Sequence, residues 1–585
     1  MPSINIYERD LTNPSSNNTT ANVVYIPGYA NMGPINEPVI CESLNEFYTI
    51  FGKKPYQFRG TQSYPVIKAD DNTYRFNTKA TKGLGDNPSF YQVGDYEKSY
   101  MIAAELLSKN LPVLFERIVS EVNTNYASTT VAGLEFKSKL YGLAGSLITV
   151  KLEDLSNSIY KLTITLASSS DESKVGDAES GELAANALAS ILGISEVTES
   201  ITFTTLKDSN SNYTYISDVV SELVSISGDE IKGNIPETAT RLTSATLKLN
   251  SDEFNVTDIY KAFLQSSNVT DSVLNILKDK GTYQIKFLTL GAYPSFEFGK
   301  VTGNDVDGTY EVFQNLIETA GMRGDCIALV DYTDQKNSRT LNPNDNNSVY
   351  KSLSTYEQAK FTILRTGGES EDAYTYAAMF APYGTYRLSI MNNGEFILPA
   401  SFGYLSALAT STQSNPNWYA IAGVSRGIPS SLVGLSQNMT NAIADLYQPR
   451  DGVSINCITN IKPYGYTIWG NRTLKDNSVD GDLKALSFLN IRVLTSDLKK
   501  VLYQACKRYT FENNTDIMWL NFKSQIEPTL AKMLSGNGIA SYQIIKVATT
   551  KKATVEAIIR LVPIEPVEDW YITIELTDGV EANIQ

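Results

Sequence analysis

Histidine is absent from all 585 residues. That excludes Ser-His-Asp and Cys-His arrangements, His-ligated zinc and the H-E-x-x-H motif together. The commonest acid–base group near neutral pH is missing with them. Cysteines, carboxylates, glycine loops and cationic clusters are left. Cys41, Cys326, Cys457 and Cys506 show no metal-ligand spacing, and each lies in an apolar setting. That is the pattern of small buried hydrophobes in a reducing compartment. No G-x-x-x-x-G-K-[ST] loop occurs, and Lys82-Gly83-Leu84-Gly85-Asp86 lacks the third glycine of a dinucleotide fingerprint, so it reads as a turn. Gly303-Asn304-Asp305-Val306-Asp307-Gly308 resembles a calcium loop. With Gly308 as its turn glycine, the first ligand position falls on Gly303 and the closing one on Gln314. Neither metal nor cofactor is expected. Glu369, Glu371 and Asp372 read as a solvated polar loop.

One charge feature stands out. The chain is acidic, with 49 Lys and Arg against 64 Asp and Glu and a net charge of −15, yet Lys499, Lys500, Lys507 and Arg508 lie along one side of a single helix pattern. They form either a solvated helix side or an electrostatic contact for an acidic partner. The overall balance argues against direct nucleic acid contact and against an anionic membrane. No apolar run approaches the about 18 residues of a membrane-spanning helix, and Met1–Asp10 has no leader pattern. Tyrosine is heavily used, 35 against 21 Phe, which suits either wet contact surfaces or half-buried strands.

The elements that would position these residues call for several domains and a mixed α/β and α+β fold. Ser3–Glu8 is a strand-like arm, and 11–22 is a polar linker that, extended at about 3.3 Å per residue, reaches roughly 40 Å. Val23–Ile26, Pro38–Cys41 and Val113–Val119 read as strands. A helix starts at Ser43 with capping-box spacing to Glu46, and another covers Tyr96–Leu111. Residues 126–285 form an inserted, mostly-β domain with alternating strands at Ser146–Leu152 and Tyr160–Leu166. The α/β pattern returns over 286–480, with strands at Tyr283–Leu290, Cys326–Asp331, Thr375–Phe380, Val453–Ile458 and Gly465–Gly470 and helices near 310–320 and 402–410. An Asp/Asn/Gly linker at 475–482 leads to a C-terminal domain, 481–570. There Leu494, Leu498, Val501, Leu502 and Ala505 make one helix face. Trp519, Phe522, Ile526, Leu530 and Met533 make a second, on a helix that contains Pro528. Strands Tyr542–Val547 and Val555–Val562 follow. Residues 571–585 end the chain with an arm alternating Ile572, Ile574 and Leu576 against Tyr571, Thr573 and Glu575.

Four groups of residues carry a resemblance to the tail sheath proteins of contractile-tailed bacteriophages and related contractile injection systems. The first is Val24–Pro34 with Pro38–Ile40 and Phe47–Gly52. The second is Leu140–Val150, where Ala144-Gly145-Ser146 stands in place of the family's Trp-Gly-Asn. The third is Ala422–Gly427, Tyr447–Ile455 and Trp469-Gly470-Asn471-Arg472-Thr473-Leu474. The fourth is Leu489–Leu494 with Phe511–Asn514, Trp519 and the final strand. The resemblance implies a structural subunit, not an enzyme. Residues 23–125 and 286–480 would be its sheath core, with a subtilisin-like α/β arrangement in 286–480 and no triad. Residues 481–570 would face a tube.

The resemblance further implies hexameric rings, or a helix, of copies around an inner tail tube, with baseplate and tail terminator proteins at the ends. Such a particle would be a virion assembled in the host cytoplasm, contracting to drive the tube through the envelope. Residues 1–22 and 571–585 would tie copies together through Ile4, Ile6, Ile572, Ile574 and Leu576, and Lys499, Lys500, Lys507 and Arg508 would meet the tube. The alternatives are the sheath of a bacteriocin- or secretion-type injection particle, another self-assembling virion or surface protein, and an α/β enzyme with an unrecognised site.

Overall fold

A computed structural model describes residues 22–28, 30, 33–34, 37–52, 66–68, 74–76, 95–117, 126–177, 181–186, 189, 194–206, 213–243, 277–292, 308–332, 362–364, 370–391, 394–478, 481–550 and 553–568. Among them the organising element is an eight-stranded sheet. Its strands are β1 (Val24–Gly28), β2 (Pro38–Cys41), β3 (Val113–Arg117), β4 (Phe287–Leu288), β5 (Ile327–Asp331), β6 (Ala377–Ala381), β7 (Asn456–Ile461) and β8 (Gly465–Trp469). Their spatial order is β2-β3-β1-β4-β5-β6-β7-β8. The six central strands pair in parallel, and antiparallel β2 and β8 close the two edges.

The apolar runs follow from this placement, because a parallel sheet is covered on both faces and every residue of such a strand needs an apolar neighbour. Val24, Ile26, Phe115, Ile327 and Leu329 face one core with α1 (Leu44–Phe51), α2 (Asp95–Ser108) and α4 (Ala400–Ser411). Tyr25, Leu114, Ala328 and Val330 face the other with α3 (Gly308–Arg323). Ser43 caps α1 by accepting from the Glu46 amide at 3.2 Å, as the spacing predicts. The Glu46 carboxylate takes its return bond from the Glu42 amide, one residue before the cap, at 2.8 Å.

Residues 126–243 hold a separate core inside a five-stranded and a three-stranded sheet. Alternation is visible there: Ile148, Val150 and Leu152 are buried, and Thr149 and Lys151 are half-buried. Leu277 and Ile285 pack into the central core. The C-terminal part consists of α5 (Leu489–Tyr509), α6 (Asp516–Ser535) and a hairpin, β9 (Ile539–Val547) and β10 (Glu556–Pro563). Leu494, Leu498 and Ala505 of α5 and Phe522, Ile526, Leu530 and Met533 of α6 are buried, as their spacing predicts. α6 runs as one helix through Pro528.

Several local expectations are corrected. Only Phe287–Leu288 of the Tyr283–Leu290 stretch pairs as a strand. Gly142–Leu147 forms a 3₁₀ helix ahead of the strand Ile148–Asp154. Ala373–Tyr376 is a 3₁₀ helix ahead of β6, because the Asp372 carboxylate caps it by accepting from the Tyr374 amide at 2.9 Å. Asp372 is therefore a half-buried cap and not part of a solvated loop, and burial raises its carboxyl above the ordinary range. In the expected linker, Asn477 is buried and accepts from Ser487 Oγ at 2.6 Å. Cys41, Cys326 and Cys457 are buried, whereas Cys506 is exposed on the solvent side of α5.

Candidate functional site

The cations of α5 do not form one exposed row. Lys500 is 2 % exposed and Lys499 is half-buried, whereas Lys507 and Arg508 are exposed. The reason is that the first four turns of α5 dock onto the central sheet by charge. Lys286, which enters β4, donates to Asp497 at 2.7 Å with both side chains sealed from solvent. Arg323, at the end of α3, holds Asp325 through Nε at 2.9 Å and Nη2 at 3.2 Å, and donates to the Tyr283 carbonyl at 2.7 Å. Lys500 lies in the field of Asp497 and Asp325, and burial pushes its ammonium down to about 8. Burial likewise lowers Lys286, against the pull of Asp497. Arg492 donates to Thr375 at its carbonyl (3.0 Å) and hydroxyl (2.6 Å), and its guanidinium lies 3.9 Å from the Tyr376 ring centre. Lys499 Nζ donates to the Tyr376 hydroxyl. Removing one partner of such a pair leaves an uncompensated charge in low dielectric, so these contacts join α5 to the central sheet.

Beside it, the residues of the third resemblance group form a knot. The Asn456 side chain donates to the carbonyls of Met379 (3.1 Å) and Arg472 (2.9 Å) and accepts from the Arg472 amide (2.7 Å). Gln448 donates to the Trp469 carbonyl. Gly470 is required by close approach: a Cβ there would lie 2.9 Å from the Asn456 Cα. Leu474 N donates to the Ala377 carbonyl and Thr473 N to that of Ser487. Asn471 reaches Asn490 at the start of α5, and Asn490 reaches the Trp418 carbonyl. The Trp418 indole N–H donates to the Gly536 carbonyl at 2.9 Å. One strand-to-helix crossing thus binds β6, β7, α5 and the end of α6.

The hairpin contrasts with this. β9 and β10 pair only with each other among the described residues, so both outer edges lack a strand partner there. Ile558 and Val562 on β10 and Ile564 just beyond are exposed. An open edge of this kind accepts an added strand.

Two buried carboxylates that the sequence did not single out resemble catalytic groups. Asp331, at the carboxyl end of β5, accepts from the Ser401 amide at 2.8 Å and hydroxyl at 2.6 Å, and burial raises it to about 7. Glu116 accepts from the Tyr25 hydroxyl at 2.6 Å, and burial raises it to about 7 as well. Asp331 anchors the first turn of α4. Where the strand order reverses, between β1 and β4, the crevice typical of ligand binding in open α/β sheets is filled at Gly291: a Cβ there would lie 2.3 Å from Ser99 Oγ, which also accepts from the Ala292 amide. The clue for Lys286 was a lone cation between Ile285 and Phe287. For Asp331 it was an acid closing an otherwise apolar strand. The arm residues Ile4, Ile6, Ile572, Ile574 and Leu576, the loops 82–86 and 303–307, and Glu369 lie outside the described residues. Among the described residues no helix is long and apolar enough to cross a membrane and no Cys, Asp or Glu cluster could hold a metal ion.

No family model matches the chain. Over 172 residues it is 25% identical to the tail sheath protein of Vibrio phage KVP40; the match covers 29% of this chain and spans about a quarter, 24%, of that relative's length. The sheath tail protein of Listeria innocua aligns with 93% of this chain and 95% of its own, at 10% identity and a TM-score of 0.49. That of Desulfitobacterium hafniense aligns with 96% and 100%, at 11% identity and a TM-score of 0.43. These three are named as tail sheath proteins, and over those 172 residues this chain is similar to the one from the phage.

Proposed function

We propose that this chain is a structural subunit of a contractile phage tail sheath, which polymerises around an inner tube and contracts to drive that tube through the host envelope. The observation that carries this reading is the likeness to the phage tail sheath protein. The geometry supports it in two ways. A subunit that is displaced without unfolding needs a stiff body, and the buried charges at Lys286, Asp497 and Arg323 supply one. A subunit that stays linked to its neighbours needs open sheet edges, and the hairpin has two among the described residues. Such contacts are heterologous, so they build rings or helices.

In this reading the arms, through Ile4, Ile6, Ile572, Ile574 and Leu576, add the missing strands to hairpins of neighbouring copies. Lys507 and Arg508, exposed at the end of α5, are the cations that reach an acidic tube surface; Lys499 and Lys500 serve the joint instead. The role is structural and not catalytic, the particle is a virion, and the further partners are baseplate and terminator proteins. Electron microscopy of the purified protein tests this directly, with long tubes of constant width expected. Deleting residues 1–20 should abolish the tubes and leave a folded monomer by circular dichroism. A full chain that stays monomeric at high concentration refutes the reading.

A further inference from the structure

After β10 the chain leaves the hairpin and crosses back towards the central sheet. The Ile564 amide donates to the Gly538 carbonyl at 3.2 Å, and residues 564–568 then run largely exposed, with Val567 at 70%. The segment ends its described course on a buried cation. Glu568 accepts from Arg472 at Nε (3.1 Å) and at Nη2. The Arg472 side chain is 4% exposed and that of Glu568 26%.

Arg472 is also held by contacts that do not involve Glu568. Its amide and carbonyl are both bound by Asn456, its backbone bridges to Phe488, and its guanidinium stacks 5.1 Å from the Phe488 ring centre. A planar guanidinium fixed in this way presents two parallel donors to one carboxylate and to little else. The pairing therefore selects where the exposed segment lands. It lands on the knot that joins β6, β7 and α5, not on the hairpin from which the segment came.

We infer that Arg472 is a positioning residue whose bidentate grip on Glu568 fixes the root of the C-terminal segment to the joint of the central sheet. The consequence rests on the proposed sheath role. A strand that the segment adds to a neighbouring copy then pulls on the rigid body at Arg472 and not on the two-stranded hairpin. Displacement of one subunit is thereby transmitted to the central sheet of the next.

The test uses the full chain with Glu568→Gln, a change at a partly exposed side chain that leaves the core intact, and with the exchanged pair Arg472→Glu plus Glu568→Arg. Chymotrypsin cleavage after Trp570 and Tyr571 reports release of the root in the monomer. Glu568→Gln should speed it by at least about tenfold, since an opened segment is cleaved in proportion to its open population. Because Arg472 loses its counter-charge, the melting temperature should fall as well, so cleavage is compared well below the unfolding transition of both chains. The exchanged pair, if folded by circular dichroism, should slow cleavage again. Unchanged cleavage in Glu568→Gln overturns the inference, whatever the exchanged pair does. Tube formation is scored separately: a wild-type chain that forms no tubes defeats the sheath reading, while the anchor is still judged by proteolysis alone.

Discussion

The central sheet and the C-terminal hairpin use similar strands to opposite ends. β5 and β6 are buried along their whole length, between two cores. β10 also carries Ile558, Ile559, Leu561 and Val562, yet Ile558 and Val562 are exposed. The edges differ in the same sense. β2 opens with Pro38 and β8 closes the far side, both antiparallel, so the central sheet ends on strands suited to an edge. The hairpin has two strands and two open edges among the described residues, and pairs like this are marginal on their own. Among the described residues one region is closed at both edges by antiparallel strands, and the other leaves two edges unpaired, which the proposed arms would fill. A subunit that must be stiff inside and linked outside needs both.

The sharpest way to break the contrast is at the joint. Asp497→Ala should cost about 3–5 kcal/mol in urea unfolding, because Lys286 is left buried without its partner and must stay unpaired or give up its proton. A cost near zero would show that the central body is not held by these charges. The next effect is on pH. Asp331 and Glu116 sit near 7 in the folded chain, above their ordinary values. Between about pH 5 and 7 the folded state keeps protons that the unfolded chain has released. Each group therefore makes stability fall as pH rises through that window, by about 1.4 kcal/mol per pH unit, with no further loss above 7. Asp331→Asn and Glu116→Gln should each flatten the urea midpoint against pH, and an unchanged slope would contradict the burial assigned to them. Gly470→Ala should cost about 1–3 kcal/mol by pressing a methyl group onto Asn456.

The smallest effect on the monomer belongs to the hairpin. Ile558→Thr with Val562→Thr should change unfolding by only about 0.5 kcal/mol each, yet reduce tube formation followed by light scattering. A large loss of monomer stability would mean that the hairpin is part of the finished core and would erase the distinction.

Several elements are legible in the sequence alone. The run Cys326–Asp331 announced a buried parallel strand, and the spacing of Leu494, Leu498 and Ala505 announced the inner face of α5. Short-range switches were harder to read. Ala373–Tyr376 has strand-like composition but becomes a 3₁₀ helix, because Asp372 offers a cap at the right spacing. The glycines at 470 and 291 are ordinary in sequence, and their need appears only when Asn456 and Ser99 arrive from distant segments.

The charges mark the limit most clearly. Sequence alone determined that the chain has no histidine chemistry, that its strands and helices carry these faces, and that cations cluster along α5. Periodicity reports which side of an element turns inward, since that depends on residues three or four positions away. It does not report what waits on the inside. Asp497 meets Lys286 across 211 residues, and Arg472 meets Glu568 across 96. Whether an ammonium or guanidinium is a solvated surface group or a buried pin depends on whether such a carboxylate arrives, and only the tertiary structure decides that.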